Sequence, residues 1–164
     1  MSIFKIYKRS FKLKKIVIFD LDGTIALVDK RRAVSKLPDG KMDWDKWFSP
    51  SNIKLDEPNK PVIKMAQLFA EDGFLIVIFS GRTDKTEHTT RAWLTRNRVP
   101  FHTLAMRPHK TMNFVPDEIL KKHMLDNAPF HIDDVFLVVD DRQKVVDMWR
   151  GLGLTVFQVA EGNF

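Results

Sequence analysis

Three apolar runs leave this chain few ways to fold. Residues 15–20, 74–79 (FLIVIF) and 135–139 (VFLVV) read as strands whose centres are apolar at every position, not at every second one. A strand with one wet face alternates. A strand with no polar face must be covered on both sides, as in a parallel sheet between two layers of helices.

The segments between these runs agree. Residues 61–72 predict a helix with Val62, Met65, Ala66 and Phe69 on one face and Gly73 closing it. Residues 84–97 predict a helix with Ala92 and Trp93 inward, and residues 116–126 one with Pro116 in its first turn. Residues 142–152 predict a helix presenting Val145, Val146, Met148 and Trp149. Residues 101–105 form a weaker strand and 154–159 a last one. Alternating strand and helix implies an α/β fold with a parallel sheet sandwiched by helices. Residues 25–59 break the rhythm. They are polar, contain several prolines and glycines, and hold Trp44, Trp47 and Phe48. They read as an insertion above the sheet, long enough for a small cap or substrate flap. The aromatic side chains could form its small core or stack on a terminal base. With 164 residues, the expectation is a single domain, 1–164.

Composition removes several chemistries. There is no cysteine, so no disulfide, thiolate zinc site or cysteine nucleophile exists. That fits a reducing cytoplasm. No apolar run approaches the roughly 20 residues of a membrane span, and the N-terminus lacks the apolar core of a secretory signal, so neither membrane nor export is expected. The net charge of +6 is concentrated at one end. Residues 1–15 carry Lys5, Lys8, Arg9, Lys12, Lys14 and Lys15 and no acid. Removing those six from the 27 basic residues leaves 21, equal to the 21 acids. The tail, 1–14, reads as a basic arm able to lean on nucleic acid, or as an extra strand carrying Phe4, Ile6, Phe11 and Leu13.

Ligands of parallel α/β sheets bind beyond the carboxyl ends of the strands. Here that rim receives Asp20 and Asp22 from the first strong strand, Ser80, Gly81 and Arg82 from the second, and Asp140 and Asp141 from the third. Each has an ordinary reading alone: Asp141 as a helix cap, Ser80–Gly81 as a turn. Three strands delivering polar groups to one rim point to a site. Asp20 and Asp22 project to one side by the period of two. Facing Asp140 and Asp141, they form an anionic pocket whose members repel. A hard divalent cation such as Mg2+ relieves this and offsets the charge of an incoming phosphate. Asp20 can then serve as a nucleophile and Asp22 as the acid and base, with Gly23 turning the chain away. Ser80 and the following backbone can donate to phosphate oxygens. Lys121 is a candidate cation, four residues after Asp117 and able to pair with it, although Lys122 is not distinguished from it by position alone.

D-x-D-G-T after a strand, Ser80 after the next, a later helical lysine and the pair Asp140–Asp141 resemble the haloacid dehalogenase (HAD) superfamily of phosphohydrolases. FDLDGT, SGR at 80–82, PDEILK at 116–121 and VVDDRQKVVDMWRGLGLTVFQVAEGNF at 138–164 resemble the 3′-phosphatase domain of bacteriophage polynucleotide kinase–phosphatases more closely. The resemblance implies a Rossmann-like, HAD-like sheet with a flap after the first strand, and Mg2+ held by Asp20, the Asp22 carbonyl and one of Asp140 and Asp141. It implies Asp20 as nucleophile and Asp22 as acid/base. Ser80, Gly81, Arg82 and Lys121 would bind phosphate, with Asp117 holding Lys121 and Arg31 reaching in from the flap. The reaction implied is removal of 3′-phosphates from polynucleotide ends through an aspartyl-phosphate. A nucleotidase acting on free nucleotides, and a nucleic-acid-binding module without catalysis, are the alternatives. There is no G-x-x-x-x-G-K-[ST] loop, so a 5′-kinase activity is not expected. No protein partner is expected, and a phage-encoded chain would work in the host cytoplasm.

Overall fold

A computed structural model describes residues 15–162; the basic tail at 1–14 lies outside the described residues. The chain begins with β1 (Ile16–Asp20) and enters an insertion of short elements: β2 (Ala26–Leu27), α1 (Asp29–Val34), α2 (Trp44–Trp47), α3 (Pro50–Ile53) and β3 (Glu57–Pro58). It continues through α4 (Lys60–Glu71), β4 (Leu75–Thr83), α5 (Glu87–Arg96), β5 (Thr103–Arg107) and α6 (Asp117–Asp126). It ends with β6 (Val135–Arg142), α7 (Gln143–Gly151) and β7 (Val156–Gly162).

Among the described residues, five strands pair in parallel in the order β5-β4-β1-β6-β7. Every residue of β1 is buried, which is why its sequence has no polar face. Val17 and Phe19 pack with Val62, Ile63 and Ala66 of α4 and Trp93 of α5. Ile16 and Ile18 pack on the other side with Leu120 and Met124 of α6 and Val145 and Trp149 of α7. Each such side chain contributes roughly 1.5–3 kcal/mol by leaving water, so the central strand is fixed from both faces.

Some boundaries differ from the sequence expectation. β4 runs past Phe79 to Thr83 and β6 past Val139 to Arg142, so both strands carry their polar ends in the ladder. Trp93 and Leu94 are the buried pair of α5, whereas Ala92 is exposed. The reason is phase: a tight turn over Asp84–Thr86 precedes the α-helix, which starts only at Glu87. Pro116 sits just before α6 rather than within its first turn. The last strand starts at Val156, after Leu154 has already been buried in the core.

The insertion is tied to the body at its base. β2 and β3 form an antiparallel ribbon. Asn59 donates its side-chain amide to the Thr24 carbonyl at 2.9 Å, and its N–H to that of Ile25 at 2.9 Å. Trp93 donates its indole N–H to the Asp56 carbonyl at 3.0 Å. Ile53 is fully buried, while Trp44 is 60 % exposed, so the aliphatic residue and not that tryptophan fills the base of the insertion.

Candidate active site

Because β1 lies between β4 and β6, the polar ends of all three arrive side by side: Asp20 is paired with Phe79, and Phe19 with Val139. Lys121 of α6 is buried beneath them and donates to Asp20 Oδ1 at 2.6 Å and to Asp140 Oδ2 at 2.7 Å. Its neighbour Lys122 is exposed and pairs with Asp126. The structure thus separates two lysines that the sequence could not.

Asp20, Asp140 and Asp141 each offer a carboxylate oxygen, and these lie within 4.8 Å of one another. One lysine faces three acids. Burial, reinforced by Asp140 and Asp141, pushes the Asp20 carboxyl well above its ordinary value against the pull of Lys121. Burial and Asp140 push Asp141 up as well. Asp20 Oδ2 is buried and has no hydrogen-bond partner among the described residues. A buried carboxylate oxygen without a donor is expensive, and a divalent cation is the partner this oxygen-only donor set suits.

The two aspartates of β6 differ in what they already hold. Asp140 Oδ1 accepts the N–H groups of Asp141 and Arg142 at 3.0 and 3.3 Å. Its Oδ2 accepts from Lys121 and from the Trp149 indole at 3.3 Å. Asp141 Oδ1 accepts from Thr24 Oγ1 at 3.2 Å. Its Oδ2 lies against Gly23: a Cβ there would come within 2.2 Å of that oxygen, and φ is +91°. Glycine is therefore required twice over at that turn. On the other side of Asp141, Gly162 of β7 is packed so closely that a Cβ would sit 2.0 Å from the Asp141 carbonyl oxygen.

A second cluster forms the adjoining wall. Arg82 donates Nε to Asp22 Oδ1 at 2.8 Å and Nη2 to the same oxygen at 2.5 Å. Arg31 Nη2 pairs with Asp22 Oδ1 at 2.6 Å. Asp56 spans both arginines, 2.9 Å from Arg31 Nε and 2.6 Å from Arg82 Nη2. The Arg31 guanidinium lies over the Trp47 ring at 4.3 Å. Burial works against ionisation of Asp22, yet the charges of Arg31 and Arg82 hold its carboxyl well below the usual range. Burial and the Asp22 charge push Asp56 up to about 6.

Other expected residues take different places. Ser80 is fully buried below the floor, its hydroxyl accepting the Arg82 N–H at 3.2 Å. Gly81 is the residue of that turn which lines the cleft. The expected Asp117–Lys121 pair is replaced. Asp117 pairs with Arg107 and with Arg142 Nη1 at 2.5 Å, because long-range arginines reach its carboxylate while Lys121 is drawn inward by two buried acids. Asp22 turns its carboxylate toward the arginines and away from the acidic triad, which leaves only its carbonyl for the metal role the resemblance implied.

Sequence reasoning missed Asp56 and Arg107. Arg107 ends β5, donates to the carbonyls of Gly81, Met112 and Val115, and so secures the 108–116 loop. The expected strand, 101–105, stopped short of Arg107, which the observed β5 reaches only because it begins and ends two residues later. Asp56 lies in the irregular insertion, where no periodicity marks it. The cleft above the two clusters has a volume of about 720 Å³. The insertion lines it with Trp44, Trp47 and Phe48, and the 108–116 loop with Phe114, which is 95 % exposed.

The family described as "Polynucleotide kinase PNKP phosphatase domain" matches residues 14–164. A "Putative bifunctional polynucleotide kinase/RNA ligase" of Autographa californica nuclear polyhedrosis virus is 32 % identical over 151 residues, covering 90 % of this chain and 20 % of the viral protein. One chain of the solved "Pnkp1/Rnl/Hen1 complex" superposes with a TM-score of 0.76 at 31 % identity, over 94 % of this chain and 48 % of that one. A "predicted phosphatase from Clostridium acetobutylicum" shares the fold, with a TM-score of 0.70 at 13 % identity over 92 % of this chain and 86 % of its own. The chain thus spans about a fifth of the viral relative and about half of the Pnkp1 chain. A HAD-fold phosphoric monoester hydrolase accounts for the sheet, its rim and these likenesses together, and sets aside a binding module without catalysis. By sequence and by fold, this chain belongs to the family of polynucleotide kinase PNKP phosphatase domains.

Proposed function

We propose that the protein removes phosphate from the 3′ ends of polynucleotides, with Asp20 as nucleophile. The observation that carries this is the state of the Asp20 carboxylate. Lys121 holds Oδ1, while the buried Oδ2 has no hydrogen-bond partner among the described residues, and Asp20 lines the cleft. That oxygen is the one free to attack phosphorus. A nucleophile held by a single fixed contact loses little freedom on reaction.

Asp20, through the carboxylate oxygen not used for attack, and Asp141 would hold Mg2+, with the Asp22 carbonyl completing the protein's share. Asp140, whose two oxygens already accept four donors, would instead anchor Lys121. When bound, the cation supplies positive charge that offsets both the carboxylates and the phosphate. The remaining work falls to side chains. Arg31 and Arg82 now spend their donors on Asp22 and Asp56. Phosphate oxygens entering the cleft compete for them. Asp22, relieved of two cations, regains proton affinity and can donate to the leaving 3′ oxygen. Once ionised, it can take a proton from the water that cleaves the aspartyl-phosphate.

A polynucleotide end is favoured over a free nucleotide by the walls of the cleft. Trp44 is exposed, stacks on Phe48 with ring centroids 6.0 Å apart, and lines the same cleft as Phe114. Exposed aromatic faces beside a phosphate site suit unpaired bases. The viral relative is described as a polynucleotide kinase/RNA ligase and a solved Pnkp1/Rnl/Hen1 assembly as an RNA repair complex, which supports the same substrate class. The test is a panel under Mg2+: 3′-phosphorylated DNA and RNA oligonucleotides against 3′- and 5′-mononucleotides. Higher kcat/KM on either oligonucleotide is expected, with a steeper decline as salt rises. Higher kcat/KM on mononucleotides would replace this reading with a nucleotidase.

A further inference from the structure

Trp149 belongs to the apolar face of α7 and is fully buried, so its sequence reading is simply core. Its ring packs near Phe79, with centroids 6.3 Å apart, as a core residue's should. The polar end of the same ring does something else. Nε1 donates to Asp140 Oδ2 at 3.3 Å, the oxygen that Lys121 also holds. A buried indole N–H needs an acceptor, and here it reaches through the core to a carboxylate of the site.

We infer that Trp149 is a positioning residue for the reaction, fixing Asp140 so that Lys121 is held at the correct distance from Asp20. The chain of contacts runs Trp149 Nε1, Asp140 Oδ2, Lys121 Nζ, Asp20 Oδ1. All four residues are buried, and Trp149 and Asp140 do not line the cleft. The backbone amides of Asp141 and Arg142 fix Asp140 Oδ1 and leave the carboxylate free to rotate about that anchor. Lys121 is flexible and follows the carboxylate. The indole is rigid and comes from a packed helix, and beside Lys121 it is the one donor to Oδ2 among the described residues. The inference rests on the proposed roles of Asp20 and Lys121.

The experiment compares Trp149→Phe, Asp140→Asn and the double variant on p-nitrophenyl phosphate with Mg2+, a monoester that makes no demand on the polynucleotide reading. Trp149→Phe keeps the ring and removes the N–H. It is expected to lower kcat about tenfold, the worth of one hydrogen bond to a charged group, with KM within about twofold. In the Asp140→Asn background the same change should cost almost nothing further, because the two act as a unit. The indole N–H resonance of Trp149 should also shift in the Asp140→Asn protein, a readout that needs no variant of the tryptophan. Unchanged kcat in Trp149→Phe, losses that multiply in the double variant, or an indole resonance indifferent to Asp140→Asn would each overturn the inference. Failure of the underlying site reading looks different: Asp20→Asn would then retain turnover.

Discussion

The two charge clusters at the rim are built from the same groups in opposite proportion. Around Asp20, three carboxylates face one lysine; around Asp22, two carboxylates face two arginines. The first cluster lacks positive charge and pushes Asp20 and Asp141 upward. The second is balanced and holds Asp22 down. A balanced cluster is complete as it stands and can release its arginines only to another anion. An unbalanced one is complete only with a cation. Under the proposed function, the contrast puts metal on one side and phosphate on the other by charge balance alone.

The sharpest way to break the comparison is Asp20→Asn. It removes the attacking oxygen, and kcat should fall by at least about a thousandfold while the Tm holds or rises; retained turnover would dissolve the assignment of the unbalanced cluster. Next comes the cation. Calorimetric titration with Mn2+ should show Asp141→Asn weakening binding about tenfold or more beyond the effect of Asp140→Asn. Equal losses would mean that donor counting misjudged Asp140. EDTA should abolish turnover and Mg2+ restore it.

On the balanced side, Arg82→Ala leaves Asp22 and Asp56 short of a shared partner. A loss of about 3 kcal/mol is expected, seen as a fall in Tm of roughly 6–12 °C. A change of a degree or two would show that Arg31 suffices alone.

The same contrast has a pH signature in metal-free protein. Asp20, Asp141 and Asp56 all have native carboxyls raised above the ordinary 3.8, Asp56 to about 6. Between those values the native state binds protons that the unfolded chain has released, so stability should rise as pH falls from about 6 toward 4. Below that, Asp22, whose native carboxyl is depressed, acts in the opposite sense. In melting curves, saturating Mg2+ should remove the share of this profile that comes from Asp20 and Asp141 and leave that of Asp56, since the cation replaces the proton only at the acidic triad. The smallest effect expected is that of Lys122→Ala. Its exposed pair with Asp126 is worth a few tenths of a kcal/mol, and activity should not change.

These clusters also show where sequence stops being readable. The buried strands announced themselves because a two-faced apolar run has one structural solution, and their polar ends were placed by the same logic. Asp117 was misassigned because the helical spacing to Lys121 is a local signal. The groups that win its carboxylate, Arg107 and Arg142, come from the ends of β5 and β6. Asp56 was invisible for the related reason that two arginines from distant segments, and not any pattern around it, give it a role. Trp149 was placed correctly in the core, but nothing in helical periodicity tells which way an indole nitrogen points.

The seat of Gly162 makes the last strand a gauge block for the catalytic rim. Its missing side chain sets how near β7 can lie to the main chain at Asp141, with no clearance for even a methyl group. Much of β7 is exposed or half-buried, but where Gly162 and the Gln158 amide both meet the Asp141 carbonyl, any widening of the sheet edge passes straight to the main chain of that aspartate. A chain evolving at that edge has least room where it backs onto the rim.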